Sequence, residues 1–247
     1  MSLAGLLTIV DDDPQLHGVL SRADADRART GPGPERGSPP GAAAASPVTA
    51  LAGEDLVAPP TLRPVLAAAL ARGAPGGAPG FVLAVTATAR EADELAAGLG
   101  SFLPPDRVAC FPGWETLPHE RLSPRLDTVG QRIAVLRRLA HPADPGEPNG
   151  PLAVVVTPVR SLLQPIVAGL GDLEPVTLQA GQARELDDLL VRLVEIGYSR
   201  VDLVASRGEI AVRGGIVDVF PPTEEHPLRV EFFGDTIEEI RYFKVAD

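Results

Sequence analysis

Two arginines, Arg213 and Arg229, stand in short strand-like runs: Glu-Ile-Ala-Val-Arg at 209–213, followed by Gly-Gly-Ile-Val-Asp-Val-Phe, and Leu-Arg-Val-Glu-Phe-Phe at 228–233, with alternation around Ile216, Val219 and Phe220 and around Val230, Phe232 and Phe233. Alternation with period two places every second side chain on one face of a strand. A guanidinium offers five donors in a rigid fork that matches a carboxylate. A neighbouring aromatic supplies apolar contact area at low entropic cost. The chemistry such forks suit is carboxylate recognition. The same residues also fit a structural role, in which both arginines are solvated or paired with Glu231 or Asp218 inside the sheet. Gly214-Gly215, after Arg213, marks a bulge or a close approach of another backbone.

Other candidates for chemistry are sparse. Glu115, His119 and Glu120 lie in the segment 111–124, Phe-Pro-Gly-Trp-Glu-Thr-Leu-Pro-His-Glu-Arg-Leu-Ser-Pro, with the sole tryptophan, Trp114. Their types suit acid/base work, but no nucleophile or second carboxylate pair accompanies them, and the segment reads as a structural loop. The single cysteine, Cys110, excludes internal disulfides and a cysteine-based zinc site, and His17, His119, His141 and His226 show no ligand spacing. A phosphate-binding P-loop needs Gly-Lys-Ser/Thr, because the lysine reaches the β- and γ-phosphates and the hydroxyl binds magnesium. The only lysine is Lys244, so the motif is absent. The glycines at 73–80 precede a predicted strand, whereas a phosphate loop follows one.

The chain has 247 residues, 45% of them hydrophobic, enough for one or two domains with a real core. Its net charge of -11 argues against DNA as the main ligand, since non-specific affinity comes from neutralising phosphates. The preference for arginine over lysine, alongside abundant Ala, Gly and Pro, is what a GC-rich genome produces. The opening Met-Ser-Leu-Ala-Gly-Leu-Leu-Thr-Ile-Val-Asp-Asp-Asp has no basic n-region or cleavage site and reads as a cytoplasmic helix rather than a signal peptide. No apolar run approaches the roughly 20 residues that span a bilayer.

The elements that must position these residues fall into four parts. Residues 1–23 read as an N-terminal helix using Leu3, Leu6, Leu7 and Val10. Residues 24–50, rich in Ala, Gly, Pro and Arg without a periodic apolar face, read as a disordered linker. Residues 51–172 alternate helices and strands: a helix with Leu62, Val65, Leu66, Ala69 and Leu70 on one face, a strand at 81–85 buried on both faces, a helix at 89–99, a strand at 107–111, a helix opened by Ser123-Pro124, a strand at 152–156 and a helix after Thr157-Pro158. The long helix should bury Leu126, Val129, Ile133, Leu136 and Ala140. Such alternation predicts a parallel sheet covered on both faces. Residues 173–247 predict a small α+β domain: a short strand ending at Leu178, one amphipathic helix over 183–196 stopped by Gly197, then antiparallel strands at 199–205, 209–220, 227–233 and 236–243.

The segments 111–124 with the following Asp-Thr-Val-Gly-Gln-Arg-Ile-Ala-Val-Leu-Arg-Arg-Leu, 154–165 (Val-Val-Val-Thr-Pro-Val-Arg-Ser-Leu-Leu-Gln-Pro) and 207–240 resemble, in order and spacing, the amino-terminal, UvrB-like region of transcription-repair coupling factors (Mfd). The last segment is also similar to UvrB itself. The likeness runs from about residue 51 to the end and leaves 24–50 unmatched. It implies a degenerate RecA-like α/β domain, similar to UvrB domain 1a but without a P-loop: the corresponding junction here is Val57-Ala58-Pro59-Pro60-Thr61-Leu62. It implies a second domain similar to UvrB domain 2, which binds the excision-repair protein UvrA. Carried over position by position, the UvrA contacts fall on Arg213, Arg229 and Phe233. The family's ATP- and magnesium-dependent DNA translocase and its contacts to RNA polymerase and DNA belong to domains not matched here. The expectation is a cytoplasmic, monomeric UvrA-docking module with no catalytic residue, cofactor or metal of its own and no membrane contact. The competing reading is an α/β enzyme that binds a nucleotide or small ligand through a non-standard loop.

Titration with a fluorescent ATP analogue and magnesium separates the two readings. The docking module predicts no saturable binding at micromolar concentrations; saturable binding that natural ATP competes away supports the enzyme.

Overall fold

A computed structural model describes residues 3–30, 53, 55–75, 79–116, 124–143 and 150–245. By contacts the chain divides into two units, one comprising 1–111 and 142–163, the other 112–141 and 164–247. The expected division placed everything from 51 to 172 in one α/β domain. The long helix near 130 and the segment 164–172 instead group with the carboxy-terminal sheet.

In the first unit, α1 (Leu7–Asp12) is followed by α2 (Pro14–Thr30). Asp13 caps α2, its Oδ1 accepting the backbone N–H groups of Gln15 at 2.9 Å and Leu16 at 3.0 Å, and Pro14 occupies the first turn, where a missing N–H costs nothing. The helix does not stop at 23. It continues through Thr30 and so takes in the first seven residues of the expected linker; 31–50 lie outside the described residues. The extension is held by polar contacts that the hydropathy pattern does not reveal. Asp24 Oδ2 accepts the Ala74 N–H at 2.8 Å and Oδ1 pairs with Arg27, whose Nη2 donates to the Leu70 carbonyl at 2.6 Å.

Leu70 is in the last turn of α3 (Arg63–Arg72) and Ala74 lies just past its end. This helix buries Ala67, Ala68, Ala69 and Ala71; of the expected stripe, Ala69 is buried and Val65 and Leu70 pack on the core, while Leu62 is exposed. Small side chains let neighbouring backbones approach closely, and Leu7, Val10 and Leu20 of the amino-terminal helices pack into the same cluster. The parallel sheet consists of β1 (Val82–Thr86), β2 (Val108–Cys110) and β3 (Val154–Pro158) in the order β1-β3-β2. Central β3 is buried throughout. Edge strand β1 alternates, with Leu83 and Val85 about half exposed, which corrects the expectation of a strand buried on both faces. Val82, Ala84, Val154 and Val156 share a cluster with α3 and with α4 (Ala89–Leu99). α4 begins as its sequence predicts. Thr88 Oγ1 accepts the Glu91 N–H at 3.2 Å, and the Glu91 carboxylate, accepting the Ala87 N–H at 3.1 Å, fills the helix N-terminus that could otherwise attract an anion. α6 (Val159–Leu163) follows β3 directly.

The second unit starts with the tryptophan segment and α5 (Leu126–Ala140). The helix begins at Leu126, not at Pro124, and Ser123 lies outside the described residues. It buries Thr128, Gly130, Arg132, Val135 and Arg138, a face rotated away from the expected stripe; Leu126 is exposed. Arg132, 1% exposed, lies over the Trp114 ring with its guanidinium carbon 4.2 Å from the centroid and donates to the Pro112 carbonyl at 2.6 Å. Gln164 clasps Trp114 from both sides of its peptide, accepting its N–H at 2.7 Å and donating to its carbonyl at 3.1 Å. Glu115 accepts a hydrogen bond from the Thr128 hydroxyl, so this carboxylate anchors the helix; His119 and Glu120 lie outside the described residues. A Cβ at Gly130 would come within 2.7 Å of Pro222, which fixes how closely α5 passes the turn after residue 220.

The rest of this unit is a five-stranded mixed sheet in sequence order: β4 (Ser199–Arg200), β5 (Glu209–Arg213), β6 (Ile216–Val219), β7 (Leu228–Phe233) and β8 (Thr236–Tyr242). β4 runs parallel to β5, and the remaining pairs are antiparallel. The expected single strand 209–220 is a hairpin, closed by Gly214-Gly215 with Arg213 opposite Ile216. Gly214 has φ +59°, and a Cβ on Gly215 would meet the Phe232 carbonyl oxygen at 2.8 Å, so both glycines are needed. No strand forms at Leu178, although Leu178 packs on the core. α7 (Leu186–Glu195) covers one face of the sheet, with Leu189 and Leu193 against Ile210, Val217, Val219, Val230 and Ile237, whereas Ile196 is 40% exposed.

Among the described residues no helix is long and apolar enough to cross a membrane, and no group of three or more His, Cys, Asp or Glu is placed to hold a metal.

The contacts of Asp24 give the fold its first test. Asp24→Ala removes a side-chain cap and the anchor of Arg27 and should lower stability in urea unfolding by about 1–2 kcal/mol. An unchanged midpoint, as a disordered segment would give, contradicts the helical extension.

Candidate partner-docking surface

Antiparallel pairing turns the alternation of β5 to β8 into two faces. Val217, Val219, Val230 and Ile237 point to α7. On the opposite face, the register sets Ala211, Asp218, Arg229 and Arg241 in one row and Arg213, Ile216, Glu231 and Glu239 in the next. A register shift beside Glu231 and Phe232 brings Phe233 opposite Thr236, on the same face as Glu231. The three sequence-derived residues thus share one face. Arg229 and Phe233 are four residues apart on β7, about 13 Å at strand rise, and Arg213 is two strands from Glu231, about 10 Å.

Their environments differ. Phe233 is 80% exposed, in the strand end that precedes the Gly234-Asp235 turn. Arg213 is exposed; Nη2 donates to the Asp202 carbonyl at 3.1 Å, and it has no carboxylate partner among the described residues. Arg229 is locked. Its Nε and Nη2 donate to Asp218 Oδ1 at 2.7 Å and Oδ2 at 2.8 Å, and the Phe243 ring lies 5.1 Å from the guanidinium carbon. The hydrogen bond to Asp218 raises the guanidinium pKa above its ordinary range. Of the structural alternatives open for the arginines, the Asp218 pair holds for Arg229 and solvation describes Arg213. Glu231 pairs with Arg241, a residue no sequence motif singles out. Arg241, opposite Arg229, belongs to this face, whereas Tyr242, opposite Leu228, falls on the other by alternation, its hydroxyl donating to Glu224 at 3.1 Å.

The face therefore combines fixed guanidinium donors, one exposed aromatic ring and intervening carboxylates, with no covering helix among the described elements. Such a surface can dock a protein segment. It has no nucleophile with an adjacent base.

Asp218 is only 4% exposed, so removing its partner strands a buried carboxylate. Arg229→Ala should cost about 2–3 kcal/mol in urea unfolding, while Arg213→Ala should stay within about 0.5 kcal/mol. Equal effects would contradict the assignment of one arginine to the fold and the other to the open surface.

Residues 176–247 match the family model described as the UvrB interaction domain. The chain is 57% identical over 192 residues to the transcription-repair-coupling factor of Mycobacterium tuberculosis, an alignment covering 78% of this chain and 15% of that protein. It is 33% identical to the factor of Bacillus subtilis over 67% of this chain and 14% of the relative, and 34% identical to that of Escherichia coli over 53% and 11%. The chain thus spans only about a seventh of the length of the curated relatives it matches. It belongs to the transcription-repair coupling factor family and carries that family's UvrB interaction domain.

Proposed function

We propose that this chain acts as the amino-terminal UvrA-docking module of a transcription-repair coupling factor, and that it binds UvrA through the helix-free face of β5 to β8, with Arg213, Arg229 and Phe233 as anchors. The observation that carries this reading is the meeting of the three residues on one face, with a phenylalanine 80% exposed among arginine forks. A large exposed ring marks an interaction site when polar residues rim it. Aromatic and arginine side chains are the types that dominate interface energetics.

The module works by binding and not by catalysis. Without Gly-Lys-Ser/Thr it has no cradle for ATP and magnesium, and Glu91 closes the α4 N-terminus. The family's ATP-driven translocation, and its contacts to RNA polymerase and DNA, are assigned to sequence that this chain does not match. In this reading the chain recruits UvrA in the cytoplasm as a monomer, so that excision repair begins where polymerase has stalled.

Calorimetric titration with UvrA tests the assignment. Because Phe233 is open to solvent, Phe233→Ala should leave the unfolding midpoint unchanged yet weaken binding by about 2 kcal/mol or more, roughly thirtyfold. Arg213→Ala should behave alike. Unaltered affinity in both folded variants places the interface elsewhere.

A further inference from the structure

Neither the sequence nor the family resemblance assigns Asp218 a part in binding. It is the one carboxylate on the outer face that is nearly sealed from solvent, 4% exposed, and both of its oxygens are committed to Arg229. The pair is directly cross-strand, Asp218 opposite Arg229, so the bridge needs no bend of either strand. The Arg229 side chain remains 31% exposed.

These facts fix which part of the guanidinium is left. Nε and one hydrogen of Nη2 are spent on Asp218. The other Nη2 hydrogen and both Nη1 hydrogens form the second, end-on edge of the fork. That edge is itself suited to a carboxylate or to a pair of carbonyl oxygens. A free arginine loses several rotatable bonds' worth of freedom when it is captured. Arg229 has already lost it, because Asp218 holds the side-on edge and the Phe243 ring lies against the group. The Asp218 charge also cancels that of Arg229, so the pair selects a partner by hydrogen-bond geometry more than by net attraction.

We infer that Asp218 is a positioning residue for the docking of UvrA: it clamps Arg229 so that the free end-on edge of the guanidinium is presented to a carboxylate or carbonyl pair on the partner, without touching the partner itself. The inference rests on the docking face proposed above.

The test is a double-mutant cycle measured by titration with UvrA. Asn is isosteric with Asp but turns one of the two acceptors into a donor, so Asp218→Asn breaks one prong of the clamp. It should weaken binding about tenfold in the unaltered chain and by less than about twofold in the Arg229→Ala chain. Arg229→Lys, which keeps the charge and loses the fork, should bind about as weakly as Arg229→Ala. Equal weakening by Asp218→Asn in both backgrounds, or no weakening in either, overturns the inference. If Phe233→Ala weakens binding and Arg229→Ala does not, the docking face stands and the positioning role falls. If none of Arg213→Ala, Arg229→Ala and Phe233→Ala weakens it, the docking face itself is refuted. Should Asp218→Asn fail to fold, nitrogen-15 relaxation of Arg229 Nε in the unaltered chain decides the point. An order parameter near that of rigid backbone, about 0.85, supports the clamp, and one below about 0.6 overturns it.

Discussion

A carboxylate on the open face of a thin sheet is ordinarily hydrated. Asp218 is not: it is 4% exposed, and both of its oxygens are held by Arg229. Ionised and out of water, it requires a cation with two donors in the right plane, and the register supplies Arg229 at that position. Much of the second unit's outer surface follows from this one requirement. Arg229 is fixed, its ring neighbour Phe243 is drawn alongside, and Glu231 on the same strand turns to Arg241 instead. Arg213, one row away, is left with a single backbone acceptor. A face with one locked and one open arginine around an exposed phenylalanine is the outcome.

The opposite side of the sheet is governed by hydrophobic burial. Leu189 and Leu193 of α7 seal the inner face; on the outer one Val204 and Phe220 cluster with Ala211, while Arg213, Phe233 and Glu239 stay exposed. α5 is fastened to the same unit by a different device. Arg132 lies flat over Trp114 while Gln164 grips the tryptophan backbone, so the invariably charged group becomes a packing element. Glu115, in a segment that might suggest acid/base chemistry, serves as an acceptor for Thr128.

What could be read from residues alone followed from how local the determining forces are. The strand-helix alternation, the 89–99 helix and most of the α7 stripe are local and legible. The α5 face is not, because Arg132 and Arg138 are buried where a hydropathy pattern sends arginine to solvent. In α3 three of the buried residues, Ala67, Ala68 and Ala71, lie outside the stripe that spacing predicts. The continuation of α2 past residue 23 rests on Asp24 and Arg27 reaching residues more than forty positions away, which no periodicity reports. At the docking face, alternation was enough to predict that Arg229 and Phe233 point the same way. The Gly214-Gly215 turn sets Arg213 beside that row, and the glycine pair alone is compatible with either a bulge or a close approach. The choice of Asp218 over Glu231 as the partner of Arg229 depends on strand register, and only the structure fixes it.

The central claim is that UvrA covers the outer face of β5 to β8. Hydroxyl-radical footprinting with and without saturating UvrA tests it on a single side chain. Phe233, 80% exposed in the free chain, should lose most of its reactivity in the complex, while Phe81 of the first unit, 47% exposed, should keep its own. Phe233 remaining as reactive in the complex as in the free chain would contradict the account.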